Sequence, residues 1–183
     1  EIVIDDNIDD IFWYDNNRIC YRDKNLNIYI YNTDTKEIIN YGNKYDGISE
    51  FVDGISIAID KNRKVGYIDE DNNIIIDFKY ELENSMSNFI DGRAIVSKKI
   101  DGDYKSGIID IKGNVLIDFK YNSIGKGNVD NNYIVNLNDK FFVIDELNNK
   151  LTNEYDVVYS DGFNNVSPSP SGSDAMYHAT GFA

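Results

Sequence analysis

The sequence predicts an all-β array of repeated units, and two observations predict it. One is a segment that occurs twice. Gly66-Tyr67-Ile68-Asp69-Glu70-Asp71-Asn72-Asn73-Ile74-Ile75-Ile76-Asp77-Phe78-Lys79-Tyr80 returns forty-one residues later as Gly107-Ile108-Ile109-Asp110-Ile111-Lys112-Gly113-Asn114-Val115-Leu116-Ile117-Asp118-Phe119-Lys120-Tyr121. Self-similarity at a period near forty marks a tandem architecture. The other is composition. Apolar residues make up 42% of the chain and are mostly Ile, Tyr and Phe, side chains that fit a pleated, half-buried surface. Asn recurs beside Asp and Gly, which is turn chemistry. The expected form is an open, solenoid-like array of short antiparallel hairpins, three strands per unit, with a small β-propeller as the alternative.

The elements follow in order. Ile2 and Ile4 alternate with Val3 and Asp5, which predicts a first short strand. Phe12, Trp13 and Tyr14 form the densest aromatic cluster and hold the single tryptophan. Their expected role is a buried end plate, and the functional alternative is an exposed stacking surface. A diverged unit spans 12–46, where Asp23-Lys24-Asn25 precedes Asp60-Lys61-Asn62 by thirty-seven residues. The clearest unit spans 47–83. Ile55 to Ile59 alternates with period two, Asp60-Lys61-Asn62 turns, Val65 to Asp69 forms a second strand, and Glu70 to Asn73 turns again. Ile74 to Tyr80 is the third strand, with Ile74, Ile76, Phe78 and Tyr80 expected on one face and Ile75, Asp77 and Lys79 on the other.

The unit at 84–124 repeats this plan. Phe89-Ile90-Asp91-Gly92 opens it as Phe51-Val52-Asp53-Gly54 opens the one before. Three extra residues between Ser97 and Gly107 predict a longer hairpin around Ile100 to Asp103. A weaker unit covers 125–158, where Lys140-Phe141-Phe142-Val143-Ile144-Asp145 matches Lys64 to Asp69. A partial unit covers 159–166. After Val166 the composition changes to a Ser/Pro/Gly linker and a tail, 167–183, that lacks Asn. That stretch reads as a segment appended to the array or a fused peptide, with 174–183 a candidate tethered ligand. A chain that starts at Glu1 without Met reads as a piece of a longer one.

The recurring order Phe-x-Asp-Gly, then Lys-x-Gly-aromatic-Ile-Asp, then Gly-Asn followed by an apolar run and Lys-Tyr resembles the bacterial WG repeat family. Lys64-Val65-Gly66-Tyr67-Ile68-Asp69 is similar to that family's Lys-Trp-Gly-Phe-Ile-Asp segment. Asp77-Phe78-Lys79-Tyr80 is similar to its Pro-Lys-Tyr-Asp close. The family's tryptophan position holds Val65, Ser106 and Phe141 here, and its proline is replaced by Phe78 and Phe119. The resemblance spans roughly 16–165. It implies an all-β module used for interaction, with no shared catalytic residue and no cofactor.

The chemistry agrees with that expectation. The one histidine, His178, stands in the tail, and Cys20 is the one cysteine, so neither a Ser-His-Asp constellation nor paired zinc ligands can be assembled from the repeats. Asp69 to Asn73 lacks the glycine and terminal Glu of a calcium loop. A net charge of −14, from 18 basic and 32 acidic residues, disfavours nucleic acid and anionic membranes as partners. It admits a protein or peptide partner, a basic one included. No run of eighteen apolar residues predicts a membrane span. Stacking would bring equivalent positions into rows: Asp77 with Asp118, Lys79 with Lys120, and Asp69 with Asp110 and Asp145. The first four, with Trp13 and Tyr14, are the candidate binding residues. Turn capping is the competing role for each of these five aspartates. The expected functions are a non-catalytic module for protein or peptide binding, a carbohydrate- or surface-binding module with aromatic platforms, or a structural spacer.

Overall fold

The computed structural model describes residues 7–83, 86–127 and 131–156, and the backbone of 158–160 and 166–168. The first sheet holds β1 (Ile8–Tyr14), β2 (Arg18–Asp23), β3 (Ile28–Asn32) and β4 (Ile38–Gly42) in that spatial order. The second is seven-stranded and also in sequence order: β5 (Tyr45–Ile48), β6 (Ile55–Asp60), β7 (Lys64–Asp69), β8 (Ile74–Glu81), β9 (Arg93–Ile100), β10 (Asp103–Asp110) and β11 (Val115–Tyr121). The third holds β12 (Ser123–Lys126), β13 (Tyr133–Leu137) and β14 (Lys140–Ile144). A two-stranded sheet of β15 (Val158–Ser160) and β16 (Val166–Pro168) follows. Neighbouring strands are antiparallel and the sheets are open, so the array reading of the sequence holds. The expected strand at Ile2 to Ile4 and the tail at 174–183 lie outside the described residues. The 166/167 boundary falls inside β16.

Four units stack: β1–β4, β5–β8, β9–β11 and β12–β14. A three-strand meander is the predicted part of each. The unpredicted part is an outer strand contributed by the chain leaving the preceding unit. β5 pairs with β6, β12 pairs with β13, and the end of β8 touches β9 through the single pair Glu81 and Ser97. The seven-stranded sheet is therefore two units sewn at one point.

Successive units bury apolar faces against each other, and the three clusters lie at the three junctions. Trp13, Cys20, Ile28, Ile30 and Tyr41 meet Tyr45, Ile48, Phe51, Ala58 and Ile68. Val65, Tyr67, Ile76 and Tyr80 meet Phe89, Ala94, Val96 and Ile109. Ile95, Ile108, Ile117 and Tyr121 meet Ile124, Tyr133, Val135, Phe142 and Ile144. The pairing fixes which residues form each docking face. Ser56 opposes Ile68 and Ala58 opposes Gly66 in the second unit. Ala94 opposes Ile109 and Val96 opposes Gly107 in the third. Tyr133 opposes Ile144 and Val135 opposes Phe142 in the fourth.

The predicted one-face alignment of Ile74, Ile76, Phe78 and Tyr80 fails. β7 pairs Tyr67 with Ile76 but Val65 with Tyr80, so β8 carries extra residues in a bulge between them. A bulge reverses the side on which the next side chain stands. Ile76 and Tyr80 face the third unit, whereas Phe78 turns back towards the first, and Ile74 is 51% exposed. Phe78 then covers Gly66. A Cβ at Gly66 would stand 2.7 Å from the Ile76 carbonyl oxygen and 3.0 Å from the Phe78 ring. Gly107 has the same relation to Ile117 and Phe119, at 2.7 and 3.1 Å. The fourth unit inverts the arrangement: Phe142 occupies the glycine position and its own ring fills the space.

Candidate functional site

The turns that close each meander are built by their own aspartates. Asp69 accepts the Asn73 backbone N–H at 2.8 Å and its side-chain amide at 2.9 Å. Asp110 does the same with Asn114, at 2.8 Å for both, and Asp145 with Asn149, at 2.7 and 2.8 Å. The asparagine amide in each case holds the carboxyl below its usual range. The acidic row at 69, 110 and 145 is thus turn structure, as the capping alternative expected, with its carboxylate oxygens already occupied.

These turns are also where one unit grips the next. Arg18, at the start of β2, reaches Glu70 in the turn of the second unit at 3.0 Å. Arg93, at the start of β9, meets Glu146 in the turn of the fourth at 2.7 Å, an ion pair off the hydrogen-bond direction. Arg18 and Arg93 open equivalent strands, and Glu70 and Glu146 each follow a turn aspartate. At the middle junction the equivalent positions hold Ile55 and Ile111.

At the first junction this grip borders a groove of about 310 Å³. Ile30, Ile39, Tyr41 and Phe51 line it with apolar surface, and Asn17, Asn32, Glu37, Arg18 and Glu70 supply its polar groups. Ile30, Tyr41 and Phe51 are buried, while Ile39 is 44% exposed. Tyr41 is held by donating its hydroxyl to the Glu70 carbonyl at 2.7 Å. Arg18 is committed on both sides: its Nε donates to Asp15 at 2.8 Å and its Nη1 to Glu70 at 3.0 Å. The guanidinium also lies 5.7 Å from the centroid of the Trp13 ring. Among the described residues the Glu37 carboxylate accepts from Thr35, at 3.1 Å, and it stands exposed.

The predicted binding residues do not converge on this groove. Trp13 is a buried strut, 9% exposed, whose indole N–H donates to the Ile48 carbonyl at 2.9 Å. That corrects its candidacy as an exposed stacking residue, and it corrects the end-plate role too, because the ring is buried inside the first junction and not at an end of the stack. Tyr14, next in the strand, points the other way and is 75% exposed. Asp77, Asp118, Lys79 and Lys120 all face solvent. The two lysines lie over the rings of the adjoining tyrosines, at 5.6 Å for Lys79 and Tyr80 and 5.1 Å for Lys120 and Tyr121. Lys44 and Tyr45 repeat the contact at 4.9 Å, so the Lys-Tyr pair has a local packing reason in every unit that has it.

The sequence reading missed Arg18, Glu70, Tyr41 and Phe51. A signal existed for the first two, because an arginine and a glutamate recur together two units later. The groove itself had none, since it forms between units.

Residues 66–99 and 107–141 match the model of the WG containing repeat. Both matches begin on the glycine that lies beneath a phenylalanine ring. These two segments belong to the WG containing repeat family. In the WG repeats of this chain, the residue before the glycine, Val65 or Ser106, is fully or almost fully buried. No curated protein matches the chain. Among solved structures it is similar to the computationally designed Ika8 protein, at 14% identity over 87% of this chain and 54% of that one, with a TM-score of 0.47. It is also similar to the designed Ika4 protein, at 15% identity over 72% and 87%, with a TM-score of 0.44. A chain of a nidogen/laminin complex follows, at 10% identity over 82% and 66%, with a TM-score of 0.44. This chain spans about half the length of the first of these.

Proposed function

We propose that this chain is a non-catalytic interaction module that holds a peptide in the groove between its first and second units. The observation that carries the reading is the pairing of an apolar floor, Ile30, Ile39, Tyr41 and Phe51, with a rim whose one cation is already neutralised. Glu37 and Glu70 leave the rim acidic, and the chain's net charge of −14 draws cations towards it. The matching ligand is an extended segment with a Leu or Phe next to a Lys or Arg. The volume suits one or two side chains, at the lower end of ligand sites, which run from about 300 to 1,000 Å³.

Trp13 is the single tryptophan, and Arg18 connects its ring to the groove, so its fluorescence reports on occupancy. The test is a titration with a panel of ten-residue peptides carrying Leu-Lys, Phe-Arg and the corresponding Leu-Glu and Phe-Glu pairs. Saturable changes with the cationic peptides, weakened at least about tenfold by Ile39→Asp and by Glu37→Lys at unchanged melting temperature, support the reading. Absence of saturation by every cationic peptide up to about 1 mM, or equal binding by the Ile39→Asp variant, overturns it.

A further inference from the structure

The residue after the tyrosine that closes a unit is a carboxylate at Asp46, Glu81 and Asp156. Each has a lysine partner: Lys61 at 2.9 Å, Lys64 at 2.5 Å and Lys140. After Tyr121 the same position holds Asn122. Its partner Lys105, the equivalent of Lys64 and Lys140, donates to a neutral amide oxygen at 2.8 Å. The third unit therefore keeps a lysine of the repeat and lacks the acid that neutralises it elsewhere.

The lengthened hairpin adds to this excess. β9 and β10 have eight residues each, against six for β6 and β7. The added rungs set Lys98 opposite Lys105 and Lys99 opposite Tyr104. Like charges directly opposed across strands cost stability. The second unit avoids this by placing Asp60 beside Lys64, whose backbone N–H it accepts at 2.8 Å. Lys98 Nζ lies 4.3 Å from the centroid of the Phe119 ring and 5.6 Å from that of Tyr80, and Lys79 Nζ is also 5.6 Å from Tyr80. Rings attract these ammonium groups without cancelling their charge. Among the described residues, Lys79, Lys98, Lys99 and Lys105 have no carboxylate within 4.0 Å. Lys79 and Lys99 are exposed, and Lys98 and Lys105 half-buried. Asp101 and Asp103, at the hairpin tip, are exposed and pair with none of them.

We propose that Lys79, Lys98, Lys99 and Lys105 form a binding site for the carboxylates of an acidic peptide segment, separate from the groove between the first and second units. A bound carboxylate does at Lys105 what Glu81 does at Lys64, and it relieves the repulsion from Lys98. The net charge of −14 repels a long polyanion. At physiological salt, charges beyond about 8 Å are screened, so a short acidic run responds to the four lysines and little to the rest of the chain. That favours a peptide with a few adjacent Asp or Glu residues over a nucleic acid.

Calorimetric titration of the full chain tests this with three probes: a capped peptide of consecutive glutamates, its glutamine counterpart, and a short oligothymidylate. The expected result is saturable binding of the glutamate peptide, weakening as salt rises from about 50 to 500 mM, with no saturation by the glutamine peptide and weaker binding of the oligonucleotide. Asn122→Glu supplies the acid that the other units have. It should weaken binding at least about tenfold while the melting temperature holds or rises. Lys98→Gln should do the same, because it removes the charge opposed to Lys105, and Lys98→Arg should retain binding. Ile39→Asp, which disables the groove, should leave this binding unchanged. No saturation by the glutamate peptide up to about 1 mM overturns the proposal. So does equal binding of the glutamine peptide, or undiminished binding by Asn122→Glu and Lys98→Gln. Tighter binding of the oligonucleotide than of the peptide also overturns it, in favour of a nucleic-acid partner.

Discussion

The hydroxyl of Tyr45 donates to Oδ1 of Asn72 at 2.9 Å, twenty-seven residues further along the chain. Tyr121 makes the same bond to Asn148 at 2.6 Å over the same separation. In each case the tyrosine of the Lys-Tyr close reaches a residue in the next turn that adopts a positive φ, 65° at Asn72 and 68° at Asn148. The middle member of the series is Tyr80, and the residue that should receive it is Gly113, with φ 80°. Tyr80 keeps the ring contact, 6.1 Å from Phe119, but lacks the side-chain acceptor.

Gly113→Asn should therefore stabilise the chain. Asn tolerates the left-handed conformation better than other side chains, and the new Cβ would meet only the Cδ1 end of Ile76, at 3.3 Å. The expected gain is about 0.5–1.5 kcal/mol in urea denaturation. Tyr80→Phe should be nearly neutral in the natural chain and should erase the gain in the Gly113→Asn background. A loss of stability on Gly113→Asn would mean that the Ile76 contact outweighs the bond.

Gly66→Ala and Gly107→Ala should each cost about 2–4 kcal/mol, because the added methyl meets a backbone carbonyl that cannot yield. Gly47→Ala is the control. Its Cβ would find nothing closer than Ile59 at 4.0 Å, so a change within about 0.5 kcal/mol is expected. Equal effects at all three sites in chemical denaturation would contradict the ring-over-glycine arrangement.

Much of this was legible before the structure. The duplicated segment placed Gly66 and Gly107 in register, the aspartates announced their turns, and the period-two run at Ile55 to Ile59 located a strand. What stayed hidden depends on relations that no single segment contains. β5 is four residues long and reads as a linker, because its partner β6 lies across a loop. The bulge in β8 leaves no mark on the alternation of Ile74 to Tyr80, so Phe78 was placed on the wrong face. Trp13 stood out by its rarity, but burial decides its role, and its indole partner is a backbone carbonyl thirty-five residues away. The groove is assembled from β2, β3, β4, Phe51 and the Glu70 turn, and only stacking brings them together.

Acid should weaken the array through its turns. Asp69, Asp110 and Asp145 have carboxyls held below the usual range by asparagine hydrogen bonds. A group with a depressed folded pKa contributes stability above its unfolded value, near 3.9, and loses it as pH falls through the folded one. Melting temperature should hold from neutral pH to about 5 and then fall towards pH 2. Replacing the three aspartates by Asn should lower stability at neutral pH and flatten that slope. An unchanged slope would place the acid sensitivity elsewhere.

Cys20 should be inert in the folded chain. It is fully buried in the first junction, and burial pushes its thiol up to about 12. A thiol-specific reagent at pH 8 should label it fully in denaturant and negligibly without. Rapid labelling under native conditions would show that the first two units separate readily.

The central claim is that the third and fourth units are held in register by Tyr121 reaching into the turn at Asn148, and a double-mutant cycle on these two residues tests it most directly. The cycle compares Tyr121→Phe, Asn148→Gly and the double variant by urea denaturation, with glycine chosen because it keeps the positive φ. The account predicts a coupling energy of about 0.5–1.5 kcal/mol between the two sites. Strictly additive effects would mean that the bond does not join the third and fourth units, and would contradict the account.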